Sequence, residues 1–140
     1  MITAKLNNGK LELTGQQGTT WNFDIEVFQD DAGTIPLNIN GFLARGQYRQ
    51  DKSPDAMLLM TFTCTVLDYD AVNNPNNNKV NILVPASEST SLNNVEKRVN
   101  NLPVLRGFFD VEIYRLSGMT EIDVMRPLEG ILIITPEITR

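Results

Sequence analysis

The chain has no histidine, a single cysteine and no glycine-rich phosphate loop, and these absences remove much of the chemistry a small protein can carry. Without an imidazole there is neither a Ser-His-Asp nor a Cys-His triad, and the commonest protein ligand of zinc and copper is missing. Cys64 alone cannot form an intramolecular disulfide, so the expectation is synthesis in a reducing cytosol. The 9 glycines are scattered, and none opens a helix in a GxGxxG or GxxxxGK context. Basic residues are also in short supply, with 12 Lys and Arg against 17 Asp and Glu and a net charge of -5. A phosphate-backbone binder needs a basic face to displace counterions, so nucleic acid is not an expected partner. Short apolar runs such as Ile131 to Ile134 cannot span a bilayer, and the opening MITAKLNNGK has no secretory apolar stretch, so neither a membrane partner nor classical export is expected. No cofactor is expected either.

What is present is enough for a core. The hydrophobic fraction is 41% and the charged fraction 21% over 140 residues, which is the composition of one folded domain, residues 1–140, rather than of a disordered chain. The dominant period is two, the strand period. Trp21, Phe23, Ile25 and Val27 alternate with polar residues, as do Met60, Phe62, Cys64 and Val66 among threonines, and Val80, Ile82 and Val84 before Pro85. The second and third of these form a plausible hairpin. Phe109, Val111 and Ile113, then Ile122 and Val124, then Gly130 to Thr135 predict a three-stranded C-terminal meander with a turn at Ser117 and Gly118. Leu11 to Thr14 and Gly41 to Gln50 add shorter strands, the latter with Phe42, Ala44, Gly46 and Tyr48 inward and Arg45, Gln47 and Arg49 outward. The 15 Asn residues cluster as NNPNNN at Asn73 to Asn78 and as two later pairs, and read as loops. The one helix candidate lies near 93–99, where Val95 and Val99 are four apart. About seven or eight short strands predict an all-β, antiparallel β-sandwich of immunoglobulin-like type, with a small barrel as the alternative.

Each residue with chemical potential has a plainer role beside it. Cys64 lies by parity on an apolar face, where a thiol acts as a small hydrophobe with a raised pKa. The pairs Asp24 and Glu26, Asp68 and Asp70, Asp110 and Glu112, and Glu121 and Asp123 each put two carboxylates on one strand face. They could act as acid and base or bind calcium, yet the same spacing describes the solvated side of an amphipathic strand. Asp68 and Asp70 run into a loop rich in oxygen ligands, which makes them the candidate metal residues, but the glycine and glutamate of a calcium loop are missing. Ser87, Ser89 and Ser91 have only Lys97 as a base, without SxxK spacing, and read better as part of a solvated loop. Arg45 and Arg49 share a face and could hold a carboxylate of a partner chain, or simply keep the sheet soluble. The rings of Trp21, Phe23, Tyr48, Phe62 and Phe109 all fall inward by parity, which leaves carbohydrate stacking without a platform.

The stretch from Arg106 to Arg140, RGFFDVEIYRLSGMTEIDVMRPLEGILIITPEITR, carries a family resemblance. It resembles the closing segment of small structural proteins of tailed bacteriophages: an aromatic D-x-E strand at Phe109 to Glu112, a turn at Ser117-Gly118, the strand Arg126-Pro127-Leu128-Glu129-Gly130, and the ending Pro136-Glu137-Ile138-Thr139-Arg140. Further forward, Gly18 to Trp21, Asp31 to Gly33 and Ile39 to Arg45 follow in the same order. Such proteins are similar to the N-terminal β-sandwich domain of phage upper-baseplate proteins. The resemblance implies a non-enzymatic virion part, made in the host cytoplasm, that joins other virion proteins in a tail, baseplate or fibre-attachment position, as a homo-oligomer or in multiple copies. A capsid decoration or neck protein and a carbohydrate-binding module are the alternatives. Glu137, Thr139 and Arg140 join Arg45 and Arg49 as the expected partner interface, since Pro136 ends the last strand and leaves a charged tail. The Asn-rich loop and the stretch Ser89 to Asn101 are longer than the resemblance implies and are expected to be elaborated contact surfaces.

Overall fold

The fold is given by a computed structural model that describes residues 2–7, 10–30, 33–53, 55–90, 98–99, 102–103 and 105–135. The chain is mostly β, with almost no helix. In order it forms β1 (Ile2–Asn7), β2 (Lys10–Gln16), β3 (Trp21–Glu26), β4 (Leu43–Arg49), β5 (Leu58–Val66), β6 (Lys79–Val84), the single turn of helix α1 (Ala86–Thr90), β7 (Arg98–Val99), β8 (Leu102–Pro103), β9 (Leu105–Ser117) and β10 (Thr120–Thr135). Eight of these strands make one sheet in the order β1-β2-β10-β9-β4-β5-β6-β3, while β7 and β8 pair only with each other. The sheet curls until it is nearly barrel-shaped. Neighbouring strands run antiparallel except β2 and β10, which are parallel from Leu11 opposite Gly130 to Gln16 opposite Thr135.

The curl lets one core touch almost every strand. Leu13, Trp21, Tyr48, Phe62, Ile82, Val84, Phe109, Val111 and Leu132 are all buried in a single cluster, and a smaller one around Ile39, Val80 and Ile113 fills the end beneath the β3–β4 connection. Apart from Ile39, which lies in that connection, these are positions that period-two parity sends inward. Tyr48 donates its hydroxyl to the Leu132 carbonyl at 3.2 Å, which satisfies the one polar atom of a ring that is fully buried. Strand β5 changes partner halfway. Met60 and Phe62 lie opposite Tyr48 and Gly46 of β4, whereas Thr63 to Val66 lie opposite Leu83 to Val80 of β6. The expected pairing of β5 with β6 is therefore present, in half of the strand.

Three expectations are corrected. The first is the C-terminal meander, which is a two-stranded hairpin, because Ile122, Val124 and Gly130 to Thr135 belong to one strand, β10. Register shifts between Ile122 and Met125 and between Met125 and Leu128, with Asp123 at φ 53°, break the alternation that suggested two strands. The second concerns only the end of the helix expected near 93–99. Residues 91–97 lie outside the described ones, Arg98 and Val99 are extended opposite Pro103 and Leu102, and the described helix stands earlier, at Ala86–Thr90. The third is the reading of Ser89 as part of a solvated loop. It is fully buried, accepts from the Gly18 amide at 3.0 Å and donates to the Thr19 carbonyl at 2.8 Å, and so ties α1 to the β2–β3 turn.

The Asn-rich connection between β5 and β6 is built from the inside. Asn74 and Asn78 are both buried. Asn74 donates from Nδ2 to the carbonyls of Leu67 at 3.2 Å and Asp68 at 2.9 Å, and its Oδ1 accepts the Asn78 amide at 3.1 Å. Asn78 Nδ2 in turn donates to the Val27 carbonyl at 3.0 Å, so the loop is fastened to the end of β3. Asn74→Ala leaves two carbonyls and one amide without a partner. It is expected to destabilise the fold by about 2 kcal/mol, the usual consequence of orphaning buried polar groups, as read from the denaturant midpoint. A loss within experimental error would mean that water replaces the amide.

Candidate interaction surface

Ten large hydrophobic residues are exposed among the described residues, and eight of them cluster at one end of the sheet: Ile35, Leu43, Tyr69, Val72, Leu116, Met119, Ile122 and Val124. That end is formed by the β3–β4 and β5–β6 connections and by the turn between β9 and β10. The hairpin reaches past the body. Strand β4 accompanies β9 only as far as Leu43 opposite Tyr114, and from 115 to 124 every residue is exposed, Met119 completely. Apolar side chains this exposed on a projecting arm are candidates for contact with another chain.

The outer face of the arm's base is laced with charge. Arg45 reaches Glu112 at 3.2 Å and clamps Glu121 with two nitrogens, at 2.6 and 3.1 Å, while its guanidinium lies 4.5 Å from the Tyr114 ring centroid. The clamp raises the Arg45 pKa further, chiefly through its hydrogen bond to Glu121, and holds Glu121 below the usual carboxylate range. Arg126 sits 3.1 Å from Asp110 and 3.4 Å from Glu112. Arg115 pairs with Asp123 and lies over the Phe42 ring. Glu121 and Asp123, which strand spacing puts on one face, therefore hold different arginines because the bulge turns the backbone between them. Arg49 donates to the Ala56 carbonyl at 2.9 Å and to Gln47 at 3.0 Å. Both arginines of the expected interface are thus engaged by this chain's own acceptors, and a partner carboxylate would have to compete with them. Glu137, Thr139 and Arg140 lie outside the described residues.

Arg49 and Arg126 also border a shallow groove of about 310 Å³ whose other walls include Phe108, Asp110 and Glu129. Partial burial there lifts the Asp110 carboxyl above its usual range, against the opposing pull of Arg126. A carboxyl raised in this way contributes stability that is fully present below the ordinary aspartate pKa and lost as pH rises through the folded value. Asp110→Asn does not ionise. Its stability relative to the native chain is expected to increase as pH is raised from about 3 to about 7, measured by denaturant midpoints across that range; a difference that shrinks over the same range would show that the Arg126 pair dominates.

Asp68, Asp70 and Cys64 have contacts or burial of their own. Asp70 Oδ1 accepts the amides of Val72 at 2.8 Å and Asn73 at 2.9 Å, which lowers its pKa and caps the turn, while Asp68 contributes its main-chain carbonyl to Asn74. No group of three or more His, Cys, Asp or Glu side chains that could hold a metal occurs among the described residues. Cys64 is half-buried on the inner face, and desolvation lifts its thiol to about 11, far from a reactive thiolate. No helix among the described residues is long and apolar enough to cross a membrane. Compared with known proteins, the chain matches no family model and no curated protein. The projecting arm escaped the sequence reading, because its apolar residues fit the strand alternation and gave no sign that the partner strands stop short of them.

Proposed function

We propose that this chain is a non-catalytic structural protein of a tailed-phage virion, an adaptor in the tail, baseplate or fibre-attachment region that works in multiple copies. The virion part of the reading rests on the resemblance of Arg106 to Arg140 to phage structural proteins. The adaptor part is carried by one observation: eight of the ten exposed large apolar residues described gather at one end, four of them on a hairpin that projects beyond its neighbouring strands. An immunoglobulin-like sandwich arrangement of the curled sheet is favoured by β5, whose two halves serve β4 and β6 as a strand crossing between two layers would.

The test replaces Leu116, Met119 and Ile122 together by Asp, at exposed positions, with circular dichroism to verify that the variant folds. Particles assembled with the variant are expected to contain at least about tenfold less of the chain by quantitative immunoblot, given that an interface core tolerates no unpaired charge. Normal incorporation of a folded variant would overturn the role of the arm. Deletion of Ile138 to Arg140 asks the same question of the tail, and absence of the native chain from purified particles would overturn the virion reading itself.

A further inference from the structure

Strand β3 is the last strand of the sheet, and its free side has a definite chemistry. It pairs with β6 from Trp21 opposite Val84 to Glu26 opposite Lys79, and the next residue, Val27, donates its amide to the Asn78 carbonyl at 2.8 Å. In an antiparallel ladder, hydrogen-bonded residues alternate with ones whose N–H and C=O groups point away from the partner. Since Val27 bonds toward the β6 side, so do Ile25, Phe23 and Trp21. The main-chain groups of Asn22, Asp24 and Glu26 therefore face the open side, and none of them has a hydrogen-bond partner among the described residues. The edge has no proline or bulge of the kind that protects an edge strand.

The other flank of the opening contrasts with it. Residues 120–129 of β10 also lack a neighbour on the β2 side among the described residues, because β2 begins pairing only at Gly130. There, two register shifts, the positive φ of Asp123 and Pro127 interrupt the ladder and defend the edge. Between the two flanks lies a groove of about 400 Å³ with Val27 and Met125 in its walls and Glu26, Asp30 and Arg126 at its borders. Arg126 is already paired with Asp110 and Glu112, which leaves the β3 side acidic.

We propose that the open edge of β3 accepts an extended segment of another polypeptide as an added strand, one that alternates apolar residues with Lys or Arg. Its main chain bonds to Asn22, Asp24 and Glu26. Its apolar side chains cover Phe23 and Ile25, which are only half-buried although parity turns them inward. Its basic side chains lie beside the carboxylates of Asp24 and Glu26 on the outer face, where cross-strand opposite charges are favourable. This edge runs along the flank of the sheet, so the inference goes beyond the adaptor reading and does not depend on a virion.

The probes are two capped eight-residue peptides, one alternating valine with lysine and the other valine with glutamate, added to the full chain. The lysine peptide is expected to slow amide exchange at Asn22, Asp24 and Glu26 by about tenfold or more, because these amides become hydrogen-bonded. The glutamate peptide is expected to leave them unchanged. The paired substitutions Asp24→Lys and Glu26→Lys, at exposed positions, should reverse the preference. Asp24→Pro, which removes one edge donor but none of the β6 ladder, should abolish protection. If the lysine peptide binds without slowing these three amides, or if charge reversal leaves the preference unchanged, the proposal is overturned.

Discussion

Replacing Trp21 by Ala is expected to remove about 3–5 kcal/mol of stability, the range for deleting a large buried aromatic. The indole is almost completely buried at the start of β3, in the cluster that joins Leu13, Val84 and Leu132. Its Nε1 donates to the Gln16 carbonyl at 3.0 Å and the Thr19 hydroxyl at 3.2 Å, so the same ring stitches the β2–β3 turn to the core. Gly15 is shaped around it: a Cβ there would stand 2.6 Å from the ring. Small domains hold only about 5–15 kcal/mol in total, so urea unfolding should show a large drop in midpoint. Trp21→Phe, which keeps an apolar ring but loses the donor, should fall between the two. A loss under about 1 kcal/mol for the alanine variant would mean that the surrounding strands collapse into the space, contrary to a core held from many sides.

Gly107→Ala is expected to cost about 1–3 kcal/mol or more by overpacking. An added methyl would meet the Arg49 carbonyl oxygen well inside van der Waals contact and the Tyr48 ring at 2.9 Å. The first obstacle is backbone and cannot rotate aside. The second belongs to a fully buried ring whose hydroxyl is committed to Leu132, so β4 and β9 would have to separate. Gly118 is the control: nothing lies within 4 Å of its would-be Cβ, and only its φ of 62° resists a side chain. Gly118→Ala should cost about 1–2 kcal/mol and leave the near-ultraviolet spectrum of the core unchanged. Equal effects at the two sites would show that Tyr48 has room to move.

How much of this could be read in the chain follows from which interactions are local. Parity placed Trp21, Tyr48, Phe62, Val80, Ile82, Phe109, Val111 and Ile113 inside, because a strand with one wet side records its orientation in every second residue. The same rule misled at Ile122 to Leu128, where bulges shift the phase and one strand looks like two. Strand β1 went unnoticed, since Ile2–Asn7 has neither a long alternation nor an aromatic. Composition marked the asparagines as turn formers but could not tell that Asn74 and Asn78 point inward, a fact that depends on carbonyls from Leu67, Asp68 and Val27. Arg45 and Arg49 were legible as an outward pair. The acceptors of Arg45 were not, because Glu112 and Glu121 come from strands far away in the chain. The strand edges that bear on assembly were invisible for the same reason: an edge is defined by the neighbour that is missing.

The parallel pairing of β2 with β10 also governs when the protein can fold during synthesis. The register sets Leu11 to Gln16 against Gly130 to Thr135, so β2 waits for a strand that is made much later. Until then Leu13, a buried core residue, has no lid, and Trp21 lacks the wall that Leu132 and Ile134 supply. Topologies dominated by such distant pairings close slowly and leave apolar surface uncovered meanwhile. The core can thus be sealed only after Gly130 to Thr135 have left the ribosome, which makes the partly made chain a natural client for chaperones.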